Sequence, residues 1–274
     1  MYLLSNKPKF LLNILQVINE INPIINIKFT AKSIKIQTMN TSHTCYIDCE
    51  LFSESFLEYK CPKEKLIGIQ LKHFCQILEL MDESDQVILI INNDDILEIV
   101  RNNRTKQSRF KLKLLSIENN EFNVVTNKTN QLTLKISMNR FINDYKELET
   151  INTNVFKISS DDNGINFIGE GEYGELKINL LSGHDAEVNK KDSVPETTTT
   201  TTQKNKIKPT DYEIIELNKN INASFTLEYF KYIFKISNIS TFVTMKINED
   251  FPLMMEFGEK NNYYLNYYIA PKYE

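Results

Sequence analysis

The sequence lacks the features that mark a membrane protein or a secreted one. Across its 274 residues no apolar run approaches the roughly eighteen residues that a membrane-spanning helix requires. The N-terminus has no basic flank followed by an apolar stretch and a small-residue cleavage site, which is the pattern of a signal peptide. We therefore expect a soluble intracellular protein without a membrane partner.

Histidine and cysteine are scarce, which limits the chemistry that the chain supports. The three histidines, His43, His73 and His184, and the lack of paired carboxylates beside a glycine turn leave little for a catalytic site. The four cysteines lie between Cys45 and Cys75 without Cys-x-x-Cys spacing. Reduced core thiols are the preferred interpretation, and a metal site with nearby histidines is the alternative. We expect no enzyme activity, no cofactor and no metal.

The chain also lacks the positive charge of a protein that grips nucleic acid over its whole surface. It has 32 Lys and Arg against 36 Asp and Glu, a net charge of −4. Any contact with nucleic acid must therefore be local. The composition, with 41% hydrophobic and 25% charged residues, is that of a globular protein with one large or two ordinary domains.

Amphipathic helices alternate with short strands along the chain. Apolar residues recur at helical spacing in four segments, and strands with period-two alternation follow each of them. The predicted helices are 7–20, 70–81, 138–150 and 226–237. The predicted strands are 25–29, 34–37, 44–51, 87–91, 96–100, 155–159, 165–168, 242–247 and 253–257.

This succession of elements occurs twice, which indicates an internal duplication. The segments INNDDILEIV (91–100) and INEDFPLMMEF (247–257) even look alike letter by letter. We expect an α+β fold of two similar domains, 1–117 and 132–274, joined by a polar, Asn-rich connector at 118–131. The stretch at about 184–209, with its threonine run, has too little apolar area to offset ordering entropy. It is predicted to be a disordered insertion in the second domain.

The last residues combine a strand with an abrupt stop. Leu265, Tyr267 and Ile269 alternate on one face, and Pro271, which has no N–H to donate, ends the strand. We expect an edge strand that stops in a free tail beside aromatic side chains, which is a common dock for an extended peptide.

Several motifs, in order along the chain, resemble the DNA sliding clamps of the proliferating cell nuclear antigen family. The tail Tyr-Tyr-Ile-Ala-Pro-Lys (267–272) is similar to the Tyr-Tyr-Leu-Ala-Pro-Lys end of those clamps. Residues 36–43, Ile-Gln-Thr-Met-Asn-Thr-Ser-His, resemble their Leu-Gln-Ser-Met-Asp-Ser-Ser-His segment. Further similar segments are 59–61, 70–79, 111–117 and 251–253, so the resemblance covers the whole chain except the insertion.

The resemblance implies a DNA clamp fold, in which a homotrimeric ring surrounds duplex DNA with helices lining the hole and antiparallel sheets outside. It implies a processivity factor that tethers DNA polymerase to DNA and performs no bond chemistry. The implied partners are a clamp loader and proteins with a PIP-box peptide, such as flap endonuclease and ligase. The implied location is the nucleus, or a viral replication compartment in host cytoplasm. The alternatives are a checkpoint-type clamp subunit in a heteromeric ring and, from another class, a nucleic-acid enzyme.

Three surfaces follow from the resemblance, and each has an ordinary alternative as core, solvated face or plain edge strand. The partner-peptide groove is expected at Met39, His43, Phe122, Val124, Pro252, Tyr268, Ala270, Pro271 and Lys272. The DNA channel is expected at Lys9, Lys72, Arg140, Lys146, Lys231 and Lys235. The subunit interface is expected at Phe110, Leu112, Leu114, Leu176, Ile178 and Leu180, in two strictly alternating strands of opposite domains.

The sequence departs from the family in two respects. The segments 7–20, 70–81, 138–150 and 224–236 together hold seven Lys or Arg against six Asp or Glu. Either the acidic residues lie at helix ends, away from the hole, or the ring holds DNA less firmly. The turn at 161–164 has no lysine where many eukaryotic clamps carry ubiquitin, so we expect that switch to be absent.

Overall fold

The structure is a computed structural model that describes residues 1–93, 95–118, 122, 129–161, 164–180, 211–218 and 220–273. The expected insertion at about 184–209, most of the connector at 118–131 and the middle of the turn at 161–164 lie outside the described residues.

Eighteen strands, three α-helices and two 3₁₀ segments follow one another in the described part of the chain. The first half contains β1 (Tyr2–Ser5), α1 (Pro8–Ile21), β2 (Ile24–Phe29), β3 (Ser33–Met39), β4 (Cys45–Phe52), a 3₁₀ turn (Ser53–Ser55), β5 (Glu58–Lys60), β6 (Lys65–Gln70), α2 (Leu71–Glu79), β7 (Gln86–Ile90), β8 (Ile96–Asn102) and β9 (Gln107–Lys113). The second contains β10 (Leu132–Ser137), α3 (Met138–Glu149), β11 (Val155–Asp161), β12 (Gly164–Gly171), β13 (Gly174–Leu180), β14 (Tyr212–Leu217), β15 (Asn222–Thr226), a 3₁₀ helix (Leu227–Asn238), β16 (Phe242–Ile247), β17 (Leu253–Glu259) and β18 (Tyr263–Ile269).

The α+β fold of two similar halves, predicted from the sequence, is confirmed, and each half is itself a repeat. One strand, a helix and three strands recur as β1-α1-β2-β3-β4, β6-α2-β7-β8-β9, β10-α3-β11-β12-β13 and β15-3₁₀-β16-β17-β18. The sequence analysis missed the strand that begins each unit. In β6 and β10 three consecutive residues are buried, so these strands lack the period-two alternation by which the others were found.

The helix predicted at 226–237 is a 3₁₀ helix. Its buried residues, Leu227, Phe230, Ile233 and Ile236, recur at every third position. That spacing matches the 3.0 residues per turn of a 3₁₀ helix, so one face of the segment can be buried along its full length. In α1 the buried positions follow the wider helical pattern, with Leu11, Leu15 and Ile18 among them.

Strand pairing joins the two halves through one continuous sheet. The nine-stranded sheet has the order β14-β10-β16-β17-β18-β4-β3-β2-β6. A five-stranded sheet, β5-β1-β7-β8-β9, and a four-stranded sheet, β13-β12-β11-β15, complete the described part. The expectation that the last strand lies at an edge is wrong, because β18 pairs antiparallel with β17 on one side and with β4 on the other. Period-two alternation reports which side chains share a face, and it says nothing about the number of neighbours.

The smaller sheets have counterparts inside the nine-stranded one. The order β5-β1-β7-β8-β9 matches β14-β10-β16-β17-β18, and β13-β12-β11-β15 matches β4-β3-β2-β6. Strand β9 therefore corresponds to β18, and β13 corresponds to β4. Although β18 and β4 pair with each other, β9 and β13 each form the edge of a sheet among the described residues.

The helices form a layer against the sheets, in the order α2, α1, 3₁₀ helix and α3, as their mutual contacts show. The four cysteines are free and buried, as the preferred interpretation required. Gly68 leaves room for the chain that follows β9, because a Cβ there would lie 2.4 Å from the Leu115 carbonyl oxygen. No helix of the described residues is long and apolar enough to cross a membrane.

Candidate functional site

An aromatic cluster on the outer face of the sheet marks the expected partner groove. The ring of Tyr268 lies 5.5 Å from the ring of Tyr46, and Tyr46 lies 5.6 Å from the ring of Phe122. Tyr268 and Tyr46 are directly opposite each other in the β18·β4 pair, and Met39 is opposite Tyr46 on the next strand. Strand pairing thus brings four side chains from distant parts of the sequence to one place.

Tyr46 belongs to this aromatic cluster, and the sequence analysis did not name it. It lies between the buried Cys45 and Ile47, so alternation places it on the outer face of β4. Burial raises the pKa of the Tyr46 phenol, and the Asp48 carboxylate raises it further. The pKa of Tyr268 is raised for the same two reasons. Both hydroxyls are therefore neutral and available as hydrogen-bond donors at physiological pH.

The loop from Asn40 to Thr44 borders the groove and is held by one side chain. The Oδ1 of Asn40 accepts from the backbone N–H of Thr44 and of Cys45, both at 2.9 Å. His43 has a φ of 58° and is exposed, and its N–H donates to the Asn40 carbonyl at 3.0 Å. The exposed His43 ring is therefore presented to solvent from a hydrogen-bonded turn.

Two backbone hydrogen bonds hold the tail after β18 as far as Lys272, which corrects the expectation of a free tail. The N–H of Ala270 donates to the Thr44 carbonyl at 2.8 Å, and the N–H of Lys272 donates to the Ser224 carbonyl at 2.7 Å. Pro271 between them has no N–H. Hence a partner peptide would meet side chains and carbonyl groups of this tail, not its amide donors.

Of the two remaining residues of the expected groove, the structure describes one. Pro252 is half-buried and stands immediately before β17, whose Met254 lies opposite Tyr268. Val124 lies outside the described residues.

The expected channel lysines lie on the helix layer. Lys72, Lys146, Lys231 and Lys235 are exposed, and Lys9 is half-buried. The period of three in the 3₁₀ helix places Lys231 and Lys235 on the two faces that are turned away from its buried face.

Arg140 is placed differently from the other five cations. Its Nε donates to both carboxylate oxygens of Asp144, at 2.7 and 2.9 Å. Asp144 is 3% exposed, and burial raises its pKa although Arg140 opposes the shift. Arg140 thus binds a buried carboxylate through its Nε while its side chain stays 34% exposed, and Lys146 is the other cation of α3.

Several acidic residues of the helices lie at helix ends. Glu20 and Glu79 are in the last turns of α1 and α2, and Glu228 is in the first turn of the 3₁₀ helix. Glu79 accepts from Gln16 at 2.8 Å, and Lys231 pairs with Glu228 at 3.0 Å. These placements fit the first alternative for the weak positive charge, in which acidic groups lie at the helix ends.

The six residues of the expected subunit interface lie on β9 and β13 or directly after β9. Phe110, Leu112 and Leu114 are half-buried and pack against the core. On β13, Leu176 is half-buried, whereas Ile178 and Leu180 are 8% and 0% exposed. Among the described residues both sets stand at sheet edges, and each edge leaves backbone groups for a further strand.

Two family models match the chain. The model described as proliferating cell nuclear antigen, N-terminal domain, matches residues 5–122. The model described as proliferating cell nuclear antigen, C-terminal domain, matches residues 124–272. Together they cover almost the whole chain.

Proposed function

Because the chain belongs to the proliferating cell nuclear antigen family and is a sliding clamp, we propose that it closes into a homotrimeric ring that tethers DNA polymerase to duplex DNA. The tether raises the effective concentration of polymerase at the primer end and requires no bond chemistry. The same groove would serve other proteins with a PIP-box peptide, and a clamp loader would open the ring. We propose that it acts in the nucleus, or in a viral replication compartment if its genome is viral.

The observation that supports the ring is the pair of open edges. Within one chain β18 pairs with β4, and their counterparts β9 and β13 are edges of the two smaller sheets. Joining β9 of one copy to β13 of the next repeats the pairing that the chain already makes internally. Such a head-to-tail contact closes into a ring when its rotation allows. Because one chain carries both edges, identical copies would suffice to close a ring.

The internal pairing also predicts the register between subunits. Leu112 lies opposite Leu97, as Ile269 lies opposite Leu253, so Phe110 corresponds to Tyr267. On the other strand Leu180 lies opposite Ile165, as Leu51 lies opposite Ile34. Counting back from those positions, Leu176 corresponds to Ile47 and Glu175 corresponds to Tyr46.

Tyr267 is opposite Ile47, and Tyr268 is opposite Tyr46. In the proposed ring, the same register would put Phe110 opposite Leu176 of the partner subunit and Lys111 opposite Glu175 of the partner subunit. The first pair is apolar and faces the core, and the second is an ion pair on the outer face. Cross-strand pairs of both kinds stabilise antiparallel sheets.

Sedimentation of purified variants tests the ring. Phe110→Asp puts a carboxylate into the apolar side of the contact, so we expect monomers where the parent protein forms trimers. Lys111→Glu should weaken the trimer at low salt, and adding Glu175→Lys should restore it, because the swapped charges pair again. A Phe110→Asp protein that remains trimeric would show that β9 is not the contact strand. A parent protein that is monomeric at all concentrations would favour the heteromeric alternative.

A further inference from the structure

A second depression lies on the outer face of the nine-stranded sheet, at the other end of the β4·β18 pair from the groove. It has a volume of about 620 Å³, and its apolar walls are Phe52, Phe242 and Tyr264. The rings of Phe52 and Tyr264 are 6.2 Å apart, and the ammonium of Lys135 lies 5.0 Å from the Phe242 ring centre. We call this depression the Gly258 trough, after the residue at its floor.

Gly258 creates the gap between the aromatic walls. It lies opposite Tyr264 on β18, and the register of β16 with β17 places Phe242 level with it on the other side. A Cβ at Gly258 would come within 2.7 Å of the Tyr263 carbonyl oxygen. The walls are thus two strand spacings apart, about 10 Å, with no side chain between them. One apolar side chain from another molecule can enter a gap of that width.

Asp48 lies between the trough and the groove. It is opposite Asn266 on β18, and its carboxylate accepts from Gln37 at 3.1 Å. Two carboxylates on the same face are paired, Glu50 with Lys35 at 3.3 Å and Glu256 with Lys246 at 2.5 Å.

Among the described residues Asp48 makes no ion pair. Burial raises the pKa of this carboxyl, and the hydrogen bond from Gln37 and the charge of the more distant Lys35 oppose that shift only in part. A cationic side chain from a bound molecule would supply the missing partner.

We propose that the Gly258 trough and Asp48 form a second anchoring site for the partner peptide that the groove holds. The occupant is an extended protein segment with a Lys or Arg over Asp48 and an aromatic or aliphatic side chain between Phe242 and Tyr264. Tyr264 and Tyr268 are four residues apart on β18, about 13 Å, so a linker of about four extended residues joins the two anchors. The proposal rests on the proposed function, and it determines which partner sequences bind most tightly.

Fluorescence anisotropy with synthetic peptides tests the second anchor. One labelled peptide carries only the groove motif, with its glutamine, aliphatic residue and two aromatics. Two longer peptides each carry one extension of five residues, at the N-terminal end in one and at the C-terminal end in the other. Each extension has a lysine in its middle and a phenylalanine at the end far from the motif. Control peptides carry Gly and Ser extensions of equal length. We expect one of the two extended peptides to bind about tenfold more tightly than its control.

Variants separate the two anchors. Phe242→Ala should abolish the gain from the extension, and Asp48→Asn should abolish the part that depends on lysine, while both bind the motif-only peptide with the parent affinity. Tyr268→Ala should weaken all peptides. If the motif-only peptide binds but neither extension adds affinity, or if the gain survives both Phe242→Ala and Asp48→Asn, the second anchor is refuted and the groove stands. If the motif-only peptide does not bind the parent protein, both proposals fail.

Discussion

Replacing Tyr267 by phenylalanine tests how the central strand β18 is held to the helix layer. The Tyr267 side chain is fully buried. Its hydroxyl donates to the Tyr229 carbonyl of the 3₁₀ helix at 3.0 Å and lies 3.1 Å from the Cys45 Sγ of β4. One hydroxyl therefore joins three elements from both halves of the chain.

The expected loss in the free energy of unfolding comes from the hydrogen-bond partners that the substitution leaves unpaired. Without the Tyr267 hydroxyl, the Tyr229 carbonyl has no donor from β18, and an unsatisfied buried polar group costs about 1–3 kcal/mol. Tyr229 is half-buried, so water can reach part of that site, and we expect a loss of about 1–2 kcal/mol in the free energy of unfolding. Burial raises the pKa of Cys45 to about 11 and that of Tyr267 well above its usual range, so both groups stay neutral and the loss should not vary near neutral pH.

Urea unfolding at one fixed protein concentration measures the effect, since subunit association makes apparent stability depend on concentration. The denaturant midpoint should fall while the slope of the transition stays constant. Tyr173→Phe is the matched control, because that side chain is 75% exposed and should change stability very little. If both substitutions shift the midpoint equally, the Tyr267 hydroxyl does not hold β18 in the way that the geometry indicates.

Three further predictions concern binding and pH. Tyr268→Ala should weaken a motif peptide at least about tenfold in anisotropy titrations and leave the sedimentation of the trimer unchanged, since the ring lies in the groove and the interface uses other strands; equal affinity would mean that the groove is elsewhere. The double variant Lys231→Ala, Lys235→Ala should make the negative slope of log K for DNA against log salt shallower, by up to about 2. The control variant Lys63→Ala, Lys106→Ala, whose lysines lie between strands, should leave that slope unchanged. Because burial raises the pKa of Asp48, its ionised form is the less stable one in the fold. Asp48→Asn should therefore raise stability at neutral pH, and this advantage should disappear as the pH falls through the folded pKa of Asp48; an advantage that persists in acid would contradict the cause assigned to the shift.

Much of the fold could be predicted from the local spacing of apolar residues. Helices α1, α2 and α3 and most strand pairs lie where apolar spacing predicted them, because each element buries one face and must alternate accordingly. The 3₁₀ geometry was also visible in principle, since Leu227, Phe230, Ile233 and Ile236 are separated by three residues each time. On an α-helix, at about 100° per residue, the same four positions would spread over about 180° of the surface, so the spacing itself favours the 3₁₀ geometry.

Neighbour relations were harder to predict from the sequence. The central position of β18 depends on its pairing with β4, which lies more than 200 residues earlier in the chain. Neither strand sequence contains a signal that identifies the strand with which it pairs. Tyr46 escaped attention for the same reason, because its role arises only when β18 brings Tyr268 beside it. The pairing of Arg140 with the buried Asp144 was likewise not predicted from the sequence.

The 3₁₀ helix also works as a spacer. At a rise of about 2.0 Å per residue its twelve residues extend about 24 Å, whereas the fourteen residues of α1 extend about 21 Å at 1.5 Å each. A tighter winding thus lets a shorter segment bridge the same distance between β15 and β16. At α-helical pitch the same twelve residues would be about 6 Å shorter, so the ends of β15 and β16 that flank the segment would have to lie that much closer together.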